Sequence, residues 1–169
     1  MSFLIRKATI QDANDIAVIV TSSWKAAYKD IISPKVMQER TDVDKRTESF
    51  SKIISNGIQN VYIIFDDEKP CGFCTCDKYR EEDLSNAYEI IAMYFLIEYW
   101  GIGFAKQTMD FALEDIKKSG YQKVCLWTFE DNLRARRFYE KCGFEFDGTK
   151  KESDLGENLF YVRYYKALI

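Results

Sequence analysis

The chain has 169 residues, 47% hydrophobic and 30% charged, the balance of a globular domain that can bury roughly 70% of its unfolded surface without a disulfide or a metal. It contains no histidine, which excludes Ser-His-Asp and Cys-His nucleophile schemes and every His-ligated metal site. A net charge of −3 provides no bulk attraction to nucleic acid or anionic lipid and is compatible with a small cationic substrate.

Phe3-Leu4-Ile5-Arg6-Lys7 reads as a short first strand. Thr9-x-x-Asp12 has the form of a capping box, and Ala13, Ile16, Ala17, Val20 and Trp24 follow at helical spacing. The spacing predicts a first helix to Trp24 or a few residues beyond. Ser33-Pro34 is a cap followed by proline at the first helical position, opening a second short helix. Phe50, Ile53 and Ile54 mark a further helix that ends near Asn56-Gly57. Residues 61–65 form a strand, 66–70 a polar turn and 72–79 the return strand of a hairpin. A charged loop over 80–86 leads to residues 88–97, almost wholly apolar, as expected of a central strand covered on both faces. The longest apolar run, 90–97, is too short to span a bilayer.

Residues 103–118 carry Ala105, Met109, Ala112, Leu113 and Ile116 on one helical face, closed by Lys117, Lys118 and Gly120. Residues 123–128 form another strand. Asn132 caps a helix over 133–141 that Gly143 stops. Residues 144–146 and 159–165 are two last strands, joined by a polar loop over 153–158. The order implies an α/β to α+β architecture: one mixed sheet with helices on both faces. With no repeat, linker or low-complexity segment, residues 1–169 are expected to form one domain.

Cys71, Cys74, Cys76, Cys125 and Cys142 lie in strand-like or core-like surroundings. Cys71 and Cys74 have C-x-x-C spacing, so a redox or metal site stands as one reading. A structural zinc site usually needs a second ligand pair, which is lacking, and buried reduced thiols are the simpler reading. Reduced cysteines and the lack of a secretory leader pattern at the start fit the cytoplasm.

The most informative segment is Phe95-Leu96-Ile97-Glu98-Tyr99-Trp100-Gly101-Ile102-Gly103-Phe104-Ala105. A central strand ends, two glycines follow and a helix begins. Unpaired amides at a helix start, with the helix dipole and no Cβ in the way, form a receptor for a diphosphate. A Walker loop is absent, and a dinucleotide fingerprint would need glycine where Lys106 stands. An ordinary glycine-bearing strand-to-helix turn explains this segment equally well.

The second segment is Asn132-x-x-Ala135-x-x-Phe138-Tyr139-Glu140-Lys141-x-Gly143-Phe144. With it, the chain resembles the GNAT superfamily of acyl-CoA-dependent N-acetyltransferases. Members carry an R/Q-x-x-G-x-G/A loop and a downstream N-x-x-A-x-x-F/Y-Y-x-x-x-G-F segment. The opening Ile5-Arg6-Lys7-Ala8-Thr9-x-x-Asp12-Ala13 is similar to the family's first strand and helix. One departure stands out: Trp100 occupies the position of the family's Arg or Gln, so phosphate contacts there would fall to backbone amides.

The resemblance implies a mixed, mostly antiparallel sheet of about six or seven strands whose fourth and fifth strands splay apart. Acetyl-CoA, a co-substrate needing no metal, would bind between them. A primary amine, on a small molecule or a peptide, would attack directly from the opposite side of the sheet without an acyl-enzyme. Backbone groups of Met93, Tyr94 and Phe95 would follow the pantetheine, with the Phe95 amide polarising the thioester carbonyl. Gly101, Ile102, Gly103, Phe104, Ala105 and Lys106 would hold the diphosphate, and Asn132 the pantetheine amides. Tyr139, neutral at pH 7, would protonate the leaving thiolate, and Glu89 would accept the amine's proton. Trp24, Tyr28 and Tyr79 would lie on the acceptor side.

Each of these residues also has a plain structural reading, as buried strand, core tyrosine, helix cap, solvent-reaching acid or packed aromatic. Arg134, Arg136 and Arg137 either form a solvated face or meet the CoA 3′-phosphate. The resemblance implies neither nucleic acid nor membrane as a partner. Family members often dimerise, so a homodimer is an expected arrangement, with the oligomeric state left open. Other readings are a catalytically silent CoA-binding module, an acyltransferase for a longer acyl-CoA, and a nucleotide-binding or protein-interaction domain.

Overall fold

The structure, a computed structural model, describes residues 2–156 and 158–168. Of the undescribed residues, Glu157 falls in the expected 153–158 loop and Met1 and Ile169 at the ends of the expected domain. The elements are β1 (Phe3–Lys7), α1 (Ala13–Ala27), α2 (Pro34–Arg40), α3 (Val43–Ser55), β2 (Asn60–Asp66), β3 (Lys69–Lys78), β4 (Ala87–Phe95), α4 (Phe104–Lys118), β5 (Lys123–Phe129), α5 (Leu133–Lys141), β6 (Glu145–Glu152) and β7 (Phe160–Ala167). Short 3-10 turns stand at Ile10–Asp12 and Ile97–Tyr99. Seven strands form one sheet in the order β1-β2-β3-β4-β5-β7-β6. Every neighbouring pair is antiparallel except β4–β5, which is parallel.

Both faces of the sheet are covered. On one, Ile16, Ile19 and Val20 of α1 and Phe50 of α3 pack on Val61, Ile63 and Phe73. On the other, Met109, Ala112 and Ile116 of α4 pack with Val124, Leu126, Phe144 and Tyr164. Each large apolar side chain so buried stabilises the fold by about 1.5–3 kcal/mol before entropy is counted. The turn from β1 into α1 is locked by Arg6, whose two terminal nitrogens donate to the two Asp12 carboxylate oxygens at 2.8 Å each. The Thr9 amide adds a third donor at 2.7 Å, and together they hold the Asp12 pKa down to about 2.

Several boundaries differ from the sequence reading, each for a local reason. β4 ends at Phe95, not 97, because Leu96 starts a 3-10 turn in which the Tyr99 amide donates to the Leu96 carbonyl. Ile97 is left largely exposed. Nor is β4 covered along its whole length: Ile91 is 40% exposed. The β2–β3 turn is tighter than expected, with Asp66 already paired to Lys69. β6 is longer than residues 144–146, because a polar edge strand with a register break between Phe146 and Lys150 carries no alternation to read.

All five cysteines are free and buried. Burial pushes the thiols of Cys71, Cys76 and Cys125 up to about 12 and raises Cys74 and Cys142 as well, the opposite of an activated thiolate. Among the described residues no helix is long and apolar enough to cross a membrane.

Candidate active site

β4 and β5 pair only from Ala87↔Lys123 to Ile90↔Leu126. The cause of the break lies on the other edge of β4. Thr75 pairs with Ala92 and Cys76 with Ile90, so Ile91 is an extra residue on β4. Such a bulge bends its strand and sharpens the local twist. Past Ile91 the two strands diverge around a cavity of about 560 Å³. Its walls include Met93, Tyr94 and Phe95 of β4 and Trp127 and Thr128 of β5.

The backbone at the end of β4 is tightly held. The Leu96 amide donates to the Cys71 carbonyl of β3 at 3.0 Å, so strand alternation turns the amides of Met93 and Phe95 toward the gap. The Phe95 carbonyl accepts from the Ser23 hydroxyl at 2.7 Å and the Trp100 indole N–H at 2.8 Å. The Phe95 ring occupies the space that a Cβ on Gly72 would need, the close approach that a glycine inside a strand signals. Trp100 therefore does have a polar role: it holds the Phe95 carbonyl. Over its ring, at 3.5 Å, lies the Arg134 guanidinium from the first turn of α5.

Gly101 and Gly103 have φ of +78° and +100°, and a Cβ on either would project into open space. The left-handed backbone is what requires glycine at both positions. Gly103 is the N-cap of α4 and offers no side-chain cap, and the first turn holds no acid. The first helical bond runs from the Gln107 amide to the Gly103 carbonyl, so the preceding amides of α4 are left for a ligand. Gly101 and Ala105 line the cavity, whereas the Phe104 side chain packs in the core against Phe3 and Tyr99. Ile102 is 40% exposed, and Lys106 is paired with Asp110 at 2.5 Å. Only backbone groups of Ile102 and Phe104 are thus placed for a diphosphate.

α5 closes the cavity. The Asn132 Oδ1 accepts from the Ala135 amide at 3.2 Å, capping the helix, and the side chain also lines the cavity. Tyr139 lines it one face further on, against the rings of Phe144 and Tyr164. Its hydroxyl has no hydrogen-bond partner among the described residues, and burial holds the phenol well above its ordinary range. The cavity wall carries Arg134, Arg137 and Lys141 and no acid. Arg136 is spent elsewhere, donating to the Tyr164 hydroxyl and the Glu130 carbonyl at 3.0 Å each. A polyanion with an extended polar arm, as coenzyme A is, fits this set of free amides and of cations without an ion pair among the described residues.

A second cavity, of about 300 Å³, lies on the α1–α3 face. Trp24, Tyr28, Arg46, Glu89, Lys151 and Tyr161 are among its walls. The two cavities share Tyr28, Ile91, Ala92, Tyr94, Trp127 and Thr128, so they abut at the gap between β4 and β5. Tyr28 and Tyr94 join hydroxyls at 3.0 Å at that junction. Glu89 is half-buried, has no hydrogen-bond partner among the described residues, and burial raises its pKa. Tyr79 lies in neither cavity. Its hydroxyl accepts from Arg163 at 2.8 Å, and Arg163 also holds Asp83 and Asp147, tying the 80–86 loop to the β6–β7 edge.

Of the residues sequence reasoning named, Glu89, Tyr139, Asn132, Trp24, Tyr28 and Gly101 line one or both cavities. That reasoning missed Ser23, Arg46, Trp127, Lys151 and Tyr161 in the two cavities, and the donor role of Trp100. Only Gly72 and the Trp100 indole carried a local signal.

A family model for the acetyltransferase (GNAT) family matches residues 24–144. The chain belongs to that family. It is an N-acetyltransferase by family, and its sheet with the parallel, splayed β4–β5 pair is the family's fold. A spermidine N(1)-acetyltransferase of Thermoplasma acidophilum is 26% identical over 153 residues, covering 88% of this chain and 92% of the relative. An uncharacterized N-acetyltransferase of Mycobacterium tuberculosis is 24% identical over 139 residues, covering 82% and 86%. Among solved structures, the PaiA N-acetyltransferase of Thermoplasma acidophilum in complex with coenzyme A superposes with a TM-score of 0.76 at 24% identity, over 96% of this chain and 98% of that one. The Salmonella typhimurium protein yncA, with its cofactor acetyl-CoA, gives 0.74 at 16% identity, over 100% and 95%.

Proposed function

We propose that this enzyme transfers the acetyl group of acetyl-CoA to a primary amine by direct attack through the β4–β5 gap. One observation carries the reading. At the gap, a cavity lined by cations that have no ion pair among the described residues abuts a cavity that holds a desolvated carboxylate. Acetyl-CoA supplies an activated thioester; everything else is done by the chain.

The amides at the start of α4 hold the diphosphate, and the gap edge of β4, with Asn132, orients the pantetheine. The Phe95 amide, carried by a residue whose carbonyl is held by Ser23 and Trp100, donates to the thioester carbonyl oxygen. Glu89 takes the ammonium proton, directly or through water, since burial brings its pKa toward that of a useful base. Tyr139 keeps its proton through the neutral range and delivers it to the departing sulfur. No cysteine serves as an acyl carrier, because every thiol is buried with a raised pKa. Reduced thiols of this kind suit the cytoplasm.

A thermal-shift screen, followed by an amine panel read by free-thiol release, tests the proposal. Acetyl-CoA should raise the melting temperature at micromolar concentration, and thiol release should need both substrates. Stabilisation by ATP in place of acetyl-CoA, or stabilisation by acetyl-CoA with no turnover on any amine, would contradict it.

A further inference from the structure

Three other arginines, exposed Arg6, half-buried Arg136 and buried Arg163, are satisfied within the protein. Arg6 forks onto Asp12, Arg163 pairs with Asp83 and Asp147, and Arg136 meets Tyr164 and the Glu130 carbonyl. Arg46 is different. It is half-buried in the wall of the α1–α3 cavity, 4.9 Å over the Trp24 ring, with no ion pair among the described residues. Its Nε–H donates to the Arg40 carbonyl at 3.0 Å, which fixes the plane of the guanidinium. Among the described residues no carboxylate is paired with its two terminal nitrogens; the groups it feels are the Tyr94 phenol and the like charge of Arg40. Desolvation pulls its pKa down, as it does for a cation held out of water without a counter-ion.

The same cavity carries a second cation, Lys151, 3.8 Å over the Trp127 ring and joined to Glu81 only through an exposed 3.4 Å pair. Against these two cations the wall offers one carboxylate, Glu89. A polyamine entering this cavity would bring two or more positive charges to a surface already net positive. An acceptor with one amine and one carboxylate would match it: the carboxylate closes on the open fork of Arg46, and the amine meets Glu89 at the gap. The rings of Trp24, Tyr28, Phe50 and Phe129 leave the remaining wall apolar and aromatic.

We infer that the acceptor is an amine that also bears a carboxylate, an amino-acid-like molecule with an apolar body, and that Arg46 is the residue that selects it. The inference rests on the acetyltransferase reading and narrows the substrate of that same site.

The test is steady-state thiol release with matched acceptors: L-phenylalanine beside phenethylamine, L-leucine beside isoamylamine, β-alanine beside ethylamine, and spermidine. Each pair keeps the amine and removes the carboxylate. In the wild-type enzyme the carboxylate member of at least one pair should have a kcat/KM at least about 10-fold above its partner and above spermidine. Arg46→Gln should cut that ratio by about 10- to 100-fold, with the loss in KM rather than kcat. Arg46→Lys, which keeps the charge and loses the fork, should fall between. A general structural defect would lower both members of a pair equally and leave the ratio intact. Turnover of spermidine or the plain amines above the carboxylate members, or a ratio unmoved by Arg46→Gln, overturns this inference and leaves the acetyltransferase standing. Silence with every amine despite acetyl-CoA binding overturns both.

Discussion

The two cavities that meet at the β4–β5 gap are built from different materials. The donor side is made of backbone: a bulge at Ile91, turned amides at Met93 and Phe95, two left-handed glycines and an uncapped helix start. The acceptor side is made of side chains gathered from α1, α3, β4, β5, β6 and β7, namely Trp24, Arg46, Glu89, Trp127, Lys151 and Tyr161. A backbone receptor tolerates few substitutions and suits a co-substrate that never changes. A side-chain receptor can be rewritten one residue at a time, so the fold determines the donor while the acceptor is set by this chain's own residues.

That contrast can be broken most severely on the donor side. Gly103→Val puts a β-branched residue at φ +100° and projects its methyls into the open space proposed for the diphosphate. Acetyl-CoA affinity should fall by more than about 100-fold, read by calorimetry. Affinity within a few fold of wild type would mean that this turn is not the phosphate receptor.

Next in size is Tyr139→Phe. It removes the proton donor and leaves the ring packing, so kcat should drop about 100-fold while the KM for acetyl-CoA changes little. An equal loss in both parameters would make Tyr139 a packing residue only.

On the acceptor side, the proposed mechanism needs Glu89 as the ionised base. Burial raises its pKa, so kcat/KM should climb with pH through a limb lying above the range of an exposed carboxylate. Glu89→Gln should lower kcat/KM by about 10-fold or more and erase that limb. A limb that persists in Glu89→Gln belongs to another group.

The smallest effect lies away from both cavities. Asp12 has a folded pKa of about 2, below its unfolded value, so its stabilising effect is full above the unfolded pKa and is lost as the pH falls toward 2. Asp12→Asn should cost about 1–2 kcal/mol at pH 7, with Arg6 partly exposed to solvent, and should flatten the acid side of the stability curve. Denaturant melts at several pH values would show it, with catalysis at pH 7 little altered.

The same contrast explains what the sequence could be made to say. The donor side was legible because its parts are local: residues 100–105 and 132–144 each form one continuous turn or helix with fixed spacing. Glu89 stood out as an acid in an apolar strand. Ile91 gave no sign of its bulge, because a bulge exists only in the register with β3. Arg46 sits among Asp44, Lys45 and Glu48 on a charged helix and reads as one more solvated cation. Its burial comes from Trp24, which is distant in sequence. Trp100 reads as a nonpolar substitute at a polar position because its one N–H acts five residues back, on Phe95.

The central claim is that free amides past Trp100 grip coenzyme A in the gap between β4 and β5. A crystal structure with saturating acetyl-CoA tests it most directly. The account predicts the diphosphate on the amides at the start of α4, the pantetheine between Phe95 and Asn132, and the acetyl group opening toward Glu89. A diphosphate bound anywhere else, or a gap closed by the protein's own side chains, would contradict it.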